Sequence, residues 1–446
     1  MSLPRIALPL YAIIWAAILA LKPAPKGANS KRFIEFLRHL LVLIGLVSMF
    51  VLMSYGLAQL INSCDWTTNA NISPKLSIPI FSNETSNADI NSTQPVELDT
   101  CNCSGENFCF RGLDEVGNVR LGLPFNCSLY ENLKSLQLLD SDAANAKPDY
   151  KQIVADENWS PVFVTSVSTN HIRELRNFVR TIRTHYPKSK IVIFDVSLQP
   201  KEIQELKSWC LVEYRRFDFS KYPPHVKKLM NYSFKLAIIE AFRTYKTFFY
   251  FDTSVRIKSK NLVTFLQGVQ SGVLLPFSTH TFAIHSVYAT THPNMFTYLP
   301  LPLIITQMQE LQSTIQFISD SSYTRYILKW WYLCATTKDC IDPSGANVSC
   351  AIRKYPDLYR TYINCHRFDQ TYWNIAALAY LFGPERRAVQ LNYTKHWDTL
   401  TENLIAEVEQ KRRKAMQKFF SLIDIRRGDI KKTILSLNCH LELHKF

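Results

Sequence analysis

The sequence predicts an α/β fold in which a mostly parallel sheet is flanked by helices, placed after an N-terminal transmembrane helix and a stem. Strand-like and helix-like segments alternate from about residue 160, an uncharged stretch covers 40–61, and the intervening segment is rich in Asn, Ser and Thr. The predicted organisation is an N-terminal segment 1–39, a membrane helix 40–61, a stem 62–150 and a folded domain 151–446.

The folded domain is predicted from its hydrophobic periodicity. Apolar runs of strand length begin near Val162, Lys190, Cys210 and Phe248, and segments with helical spacing of apolar residues separate them. This β-α-β-α-β-α-β order predicts parallel strands joined by right-handed crossovers. A further strand is predicted at 272–276. The predicted helices cover residues 171–186, 201–209, 233–245, 301–331, 369–381 and 401–420.

The stretch 40–61 predicts a single membrane span. As a helix, these 22 residues without a charge would extend for about 33 Å, enough to cross the hydrocarbon core of a bilayer. Basic residues precede it, including Lys22, Lys31 and Arg38, so the positive-inside rule places residues 22–39 in the cytosol and the chain beyond residue 61 on the other side. A second apolar stretch, 6–21, is left open as a signal-peptide core or an additional span.

Glycosylation sites and cysteines agree with this orientation. Nine Asn-x-Ser/Thr triplets occur, all beyond residue 61, at Asn71, Asn83, Asn91, Asn102, Asn126, Asn158, Asn231, Asn347 and Asn392. All eleven cysteines also lie beyond residue 61, which predicts disulfides formed in an oxidising compartment, with the connectivity open. Their odd number leaves one thiol over, so a disulfide-linked homodimer remains an option. The formal net charge of +14 does not indicate nucleic-acid binding, because a luminal chain meets no nucleic acid.

The most informative segment is 248–257, an aromatic run that is followed at once by the carboxylate of Asp252. A continuous apolar run is typical of a strand that is buried on both faces, and charge is not tolerated inside such a strand. Asp252 is therefore expected at the carboxyl end of the strand, where open α/β sheets bind ligands. A carboxylate there could hold a divalent cation that carries a diphosphate. The alternative is an Asp that starts a turn.

In architecture, residues 160–400 resemble the nucleotide-sugar-dependent glycosyltransferases of the GT-A type. Five short segments also resemble an invertebrate family of membrane-anchored proteins of unknown function, which supplies no established activity. These segments are 234–240, 251–256, 329–334, 338–341 and 365–370.

The GT-A resemblance implies a cation site. In these enzymes an Asp-x-Asp motif at the end of a strand binds Mn²⁺ or Mg²⁺ on the sugar nucleotide. Asp252-Thr253-Ser254 matches this place, but Ser254 replaces the second carboxylate with a neutral oxygen ligand. The resemblance implies His396 as a late metal ligand; the alternative is a structural histidine beside a tryptophan.

The resemblance also implies roles for five other residues. Lys235 and Arg256 would neutralise the diphosphate, and Asp195 would contact the nucleoside. Asp369 would be the base that removes the proton of the acceptor hydroxyl, with His366 in the same pocket. The alternatives are surface charges for Lys235 and Arg256, turn chemistry for Asp195 and a helix cap for Asp369.

Together these patterns predict a single-pass type II protein of the Golgi membrane. Its luminal domain would transfer a sugar from a nucleotide-sugar donor to a glycan, lipid or glycoprotein acceptor. The missing second carboxylate favours an alternative, a GT-A-like binding or structural protein that has no catalytic activity.

Overall fold

The computed structural model describes residues 98–146, 153, 159–271, 274, 277–278, 282–384, 401–420 and 423–426. These residues belong to one compact unit, Asp89–Phe446. Within the described ranges, no helix combines the length and the apolar character that a membrane crossing requires. The predicted segments 1–39, 6–21 and 40–61 lie outside the described residues, and so does His396.

The described elements are numbered in chain order. The strands are β1 (Asn102–Cys103), β2 (Glu106–Asn107), β3 (Arg111–Leu113), β4 (Val119–Leu121), β5 (Phe163–Ser168), β6 (Ile191–Ser197), β7 (Val212–Arg216), β8 (Thr247–Phe251), β9 (Val255–Ile257), β10 (Phe277–Ser278), β11 (Phe282–Ser286), β12 (Gln309–Leu311), β13 (Ile315–Ser319) and β14 (Ile423–Ile425). The helices are α1 (Tyr130–Ser135), α2 (Asp140–Ala144), α3 (Ile172–His185), α4 (Pro200–Lys207), α5 (Ala237–Thr244), α6 (Val263–Gln270), α7 (Pro293–Tyr298), α8 (Leu303–Thr306), α9 (Ser322–Thr336), α10 (Lys338–Ile341), α11 (Asp369–Phe382) and α12 (Glu402–Phe420).

The central sheet has six strands in the order β10-β13-β8-β5-β6-β7. Strands β8, β5, β6 and β7 are parallel to one another, whereas β13 runs antiparallel to β8. The predicted α/β class and mostly parallel sheet are confirmed. β5 is the first strand of this sheet along the chain. The chain then adds β6 and β7 on one side of β5, and returns to place β8 on the other side. In open α/β sheets, ligands bind at such a reversal, beyond the carboxyl ends of the strands, which here are β5 and β8.

Strand β8 is covered on both faces, as its continuous apolar sequence predicts. Phe248 and Tyr250 belong to the core on one side of the sheet, and Phe249 and Phe251 belong to the core on the other side. All four are buried. Because successive side chains of a strand point to opposite faces, this run leaves no position within the strand for a charged residue.

The predicted helix over 301–331 is wrong in its middle part. Strands β12 and β13 lie there, and β13 pairs with the whole length of β8, from Ile315 opposite Phe251 to Ser319 opposite Thr247. Every residue of β13 is buried. A short apolar run that is buried on all sides has no periodicity that separates a strand from a helix.

The predicted boundary at residue 150 also differs from the structure. Residues 98–146, called the N-terminal lobe below, contribute Phe108, Phe110 and Phe125 to the same core cluster as Trp330. The rings of Phe110 and Trp330 meet edge to face at 5.4 Å. The lobe is therefore part of the folded unit, because its aromatic residues are buried in the same core as the rest of the domain.

The prediction that the cysteines form disulfide bonds is confirmed. The bonded pairs are Cys101–Cys109, Cys103–Cys127, Cys334–Cys340 and Cys350–Cys365. The structure thus resolves the connectivity that the sequence left open in both cysteine groups. Cys210 is also disulfide-bonded.

Four of the nine predicted glycosylation sites lie within the described residues. Asn102, Asn126 and Asn347 are exposed. Asn231 is fully buried, and its side-chain amide donates a hydrogen bond to the carbonyl of His225 at 2.8 Å. The folded structure leaves no room for a glycan on that nitrogen, so we expect Asn231 to carry none. The other sites, Asn71, Asn83, Asn91, Asn158 and Asn392, lie outside the described residues.

Candidate active site at the carboxyl edge of the sheet

Asp252 lies where the sequence predicts it, directly after the last residue of β8. Its backbone N–H donates to the carbonyl of Thr314 at 2.9 Å, which ties it to the start of β13. Its side chain is 31% exposed, in contrast to the four buried aromatic residues before it. This carboxylate therefore lies at the carboxyl end of β8, next to β5, and can reach solvent.

Lys235 joins Asp252 to Asp369. Its Nζ lies 3.1 Å from Oδ1 of Asp252 and 2.7 Å from Oδ2 of Asp369, and it donates to the carbonyl of Ser313 at 2.9 Å. The side chain is only 2% exposed. A buried ammonium group needs such partners, since removal from water is costly without them. The prediction of a surface charge, given as the alternative for Lys235, does not fit this burial.

The ammonium group of Lys235 forms ion pairs with two carboxylates, and the pKa values of Lys235 and Asp369 are shifted. Burial works against the charged form of Lys235, but Asp252 and Asp369 outweigh it and hold its pKa above the usual value. Burial also raises the pKa of Asp369, and the nearby charge of Asp252 acts in the same direction, against the pull of Lys235. With all three groups ionised, the cluster carries one net negative charge.

Asp369 reaches this cluster because of the backbone before it. Phe368 has a φ of 46°, a conformation that is uncommon outside glycine and that turns the chain into helix α11. Asp369 is the first residue of α11, and the cap position is occupied by Phe368, which offers no capping side chain. The carboxylate instead accepts a hydrogen bond from the hydroxyl of Ser313 at 2.5 Å. The capping alternative is therefore not observed.

His366 is fully buried and both ring nitrogens are engaged. Nδ1 accepts the backbone N–H of His292 at 3.2 Å, so Nε2 carries the proton and donates to the carbonyl of Ile341 at 3.2 Å. Burial, with a contribution from His292, lowers the pKa of His366 to about 3. The ring is thus a neutral structural link between two backbone segments.

Two residues that follow Asp252 in sequence are also buried. Arg256 lies in β9 and donates to the carbonyls of Thr253 and Val255, each at 2.7 Å. Its guanidinium thus braces the turn after Asp252. Ser254 contributes its carbonyl to the backbone N–H of Arg426 at 2.8 Å.

Asp195 lies inside β6, although the sequence placed it at the end of that strand. Its Oδ1 accepts the backbone N–H of Leu198 at 2.7 Å, and its Oδ2 accepts the hydroxyl of Tyr214 at 2.8 Å. Oδ1 thus stabilises the turn that leaves β6, in agreement with the turn alternative, and Oδ2 links β6 to β7.

The described residues do not fit a resident Mn²⁺ or Mg²⁺. Hard cations take six or more oxygen ligands and rely on carboxylate charge. Asp252 already gives one oxygen to Lys235, and Ser254 supplies no charge. Across the described part of the chain, no three His, Cys, Asp or Glu side chains are grouped so that they could hold a metal ion.

Ser313 was not among the predicted site residues, because it lies inside the wrongly predicted helix 301–331. Ser313 contacts both Lys235 and Asp369. The same misassignment concealed Glu310, a fully buried residue that accepts hydrogen bonds from Thr290 and Gln370, each at 2.9 Å. A short polar run between apolar residues, Gln312-Ser313-Thr314, was the available signal for a turn between two strands.

Comparisons with known proteins give limited matches. A family profile described as a protein of unknown function (DUF1647) matches residues 101–240, and no curated protein gives a significant match. The galactosyltransferase LgtC, in complex with donor and acceptor sugar analogs, aligns at 12% identity and TM-score 0.27 over 50% of this chain and 95% of that one.

Two further solved structures are named as glycosyltransferases. The bifunctional WbbM in its apo form aligns at 13% identity and TM-score 0.24 over 50% of this chain and 44% of that one. The apo form of GlyE from Streptococcus pneumoniae aligns at 8% identity and TM-score 0.27 over 61% of this chain and 66% of that one. Similarities of this size carry no inference about this chain.

Proposed function

We propose that this domain is a glycosyltransferase that takes a nucleotide-sugar donor at the carboxyl edge of its sheet. One observation carries the proposal: the partly exposed carboxylate of Asp252 follows the carboxyl end of β8, beside the reversal of strand order at β5, and is held by a buried lysine. Open α/β sheets bind their ligands at such a reversal. Clusters of ionisable groups with shifted pKa values, such as Lys235 and Asp369, are typical of functional sites.

The three charged residues take different roles in the proposal. Asp252 contacts the donor, since its carboxylate is the exposed one and can accept hydrogen bonds from sugar or ribose hydroxyls. Lys235 and Asp369 are positioning residues, because both are buried and act through Asp252. This assignment differs from the predicted role of Asp369 as the base, for which the acceptor hydroxyl would have to reach a buried oxygen.

The test is a screen of nucleotide sugars with full-length protein in detergent micelles. At least one donor is expected to be hydrolysed or transferred to an acceptor, and Asp252→Asn is expected to lower the rate at least 100-fold. Asp339→Asn is a matched control, because Asp339 is exposed at the start of α10. Equal rates for wild type and Asp252→Asn would contradict the proposal.

The proposal includes the predicted sidedness: a single-pass type II protein of the Golgi membrane, with the domain in the lumen and a glycan, lipid or glycoprotein as acceptor. The excess of glycosylation sites beyond residue 61 and the intrachain disulfides support it. Protease treatment of intact microsomes should leave the domain protected. Digestion of the domain without detergent would contradict this topology.

A second candidate, a GT-A-like protein that binds without catalysis, is favoured by one observation. Ser254 stands where a second carboxylate is expected, and Lys235 occupies one oxygen of the first. A nucleotide that binds only the folded state raises the melting temperature. A melting shift with UDP or GDP, combined with no turnover of any donor, would support this candidate over the first.

A further inference from the structure

A large cavity lies between the N-terminal lobe and helices α9 and α11. Its volume is about 1020 Å³, at the upper end of the range of small-molecule sites in proteins. It adjoins the last turn of α11, whereas Asp369 is the first residue of that helix. From Asp369 to the lining residues Ala379 and Tyr380, the two regions are therefore about 16 Å apart along the helix axis.

Three tyrosines give the cavity a rigid aromatic wall. Tyr323, Tyr326 and Tyr380 all line it and are half-buried. The hydroxyl of Tyr323 donates to the carbonyl of Ala376 at 2.9 Å, and its ring lies 3.6 Å from that of Tyr380, measured between centroids. Tyr326 packs edge to face on Trp330 at 5.9 Å. These contacts fix the rings before any ligand arrives, which lowers the entropy cost of binding.

The two acids of the lining are held by a lysine behind it. Glu106 and Asp140 both line the cavity, and the buried Nζ of Lys329 lies 2.5 Å from the first and 2.9 Å from the second. Arg111 is the positively charged residue of the lining itself. Together with the buried Lys329, the two acids and two bases leave no formal net charge. The Asp140 side chain is 48% exposed, so it keeps acceptor capacity for a ligand.

We infer that this cavity is a second binding site, which takes a neutral oligosaccharide. A sugar ring has an apolar C–H face that stacks on an aromatic ring, and hydroxyls at its edge that pair with carboxylate and guanidinium groups. Fixed tyrosines beside Asp140 and Arg111 supply both kinds of contact. The balanced charge gives no attraction for phosphorylated or cationic ligands. This inference is independent of the function proposed for the Asp252 site.

The test measures sugar binding by saturation-transfer NMR with full-length protein. The probes are neutral disaccharides of glucose, galactose, mannose and N-acetylglucosamine, and the detergent must lack a sugar head group. Asn102 is a glycosylation acceptor that lines the cavity, so all proteins carry Asn102→Gln. At least one disaccharide is expected to bind, and Tyr380→Ala and Asp140→Asn should each raise its Kd at least fivefold.

Two controls separate this site from others. Tyr359→Ala removes an exposed tyrosine that does not line the cavity, and Asp252→Ala disables the proposed donor site; both should bind the disaccharide like wild type. Melting temperatures within a few degrees of wild type would show that the cavity variants are folded. The inference is overturned if no disaccharide binds, if both cavity variants bind unchanged, or if tetralysine or glucose 1-phosphate binds more tightly than every disaccharide.

Discussion

A lysine buried between two carboxylates makes the candidate site sensitive to single substitutions. Lys235→Met would leave Asp369 buried without its cation, and we expect a loss of about 3–5 kcal/mol in the free energy of unfolding. Lys190→Met is the matched control; its ammonium group is half-exposed and 3.6 Å from Glu213, so about 1 kcal/mol or less is expected. Urea denaturation measures both.

The double variant Lys235→Met/Asp369→Asn isolates the cause. Because it removes the stranded buried charge as well, it should be more stable than Lys235→Met alone. A double variant that is as unstable as the single one would show that lysine packing, and not charge, accounts for the loss.

His366 should make the stability of the domain depend on pH. Burial lowers its pKa to about 3 in the folded state, while an unfolded histidine titrates near pH 6.5. Below that pH the unfolded chain binds a proton that the folded chain does not, so stability falls as the pH falls from about 6.5 towards 3, by up to about 1.4 kcal/mol per pH unit.

The variant His366→Gln cannot titrate and reveals this contribution. It should be less stable than wild type at pH 7, and the difference should shrink by about 1.6 kcal/mol between pH 6.5 and pH 5. The measurement is urea denaturation at several pH values. A constant difference over this range would refute the assigned pKa direction.

At the scale of elements, the position of the hairpin of β3 and β4 depends on the close approach of Gly112 to the backbone of Pro300. A Cβ added at Gly112 would lie 1.7 Å from the carbonyl oxygen of Pro300, so Gly112→Ala must displace the hairpin from the rest of the domain. We expect a loss of about 3 kcal/mol or more. Gly117→Ala in the same hairpin is the control: it meets no atom within 4 Å but has a φ of 90°, which costs about 1–2 kcal/mol. Thermal denaturation that ranks Gly117→Ala as the worse variant would contradict this.

Some elements could be predicted from the sequence and others could not, for physical reasons. Strand β8 and the position of Asp252 follow from a continuous aromatic run that stops at a charge. Strand β13 was missed because its burial on all sides removes the periodic signal. The partners of Lys235 come from segments far apart in the chain, and no local pattern encodes such a contact. Lys235 and Asp369 were each predicted as site residues from the sequence, but the ion pair between them was not predicted.

At the scale of the whole molecule, burial should select among the glycosylation sites. Asn102, Asn126 and Asn347 are exposed, while the amide nitrogen of Asn231 is enclosed and hydrogen-bonded. In protein from secretory cells, Asn→Gln at each exposed site should increase gel mobility by one glycan, and Asn231→Gln should not. The comparison is made before and after glycosidase treatment. A mobility increase for Asn231→Gln would contradict the buried, hydrogen-bonded position of this side chain.

Aromatic residues of the N-terminal lobe pack in the same core as the larger part of the domain. This packing determines at which residue a secreted fragment of the protein should begin. A fragment that starts at residue 151 would lack Phe108, Phe110 and Phe125, and would leave the indole of Trp330 facing water. Such a fragment should aggregate or be retained by the folding machinery of the cell. One that starts before residue 98 keeps those rings and both lobe disulfides, and should be released in soluble form.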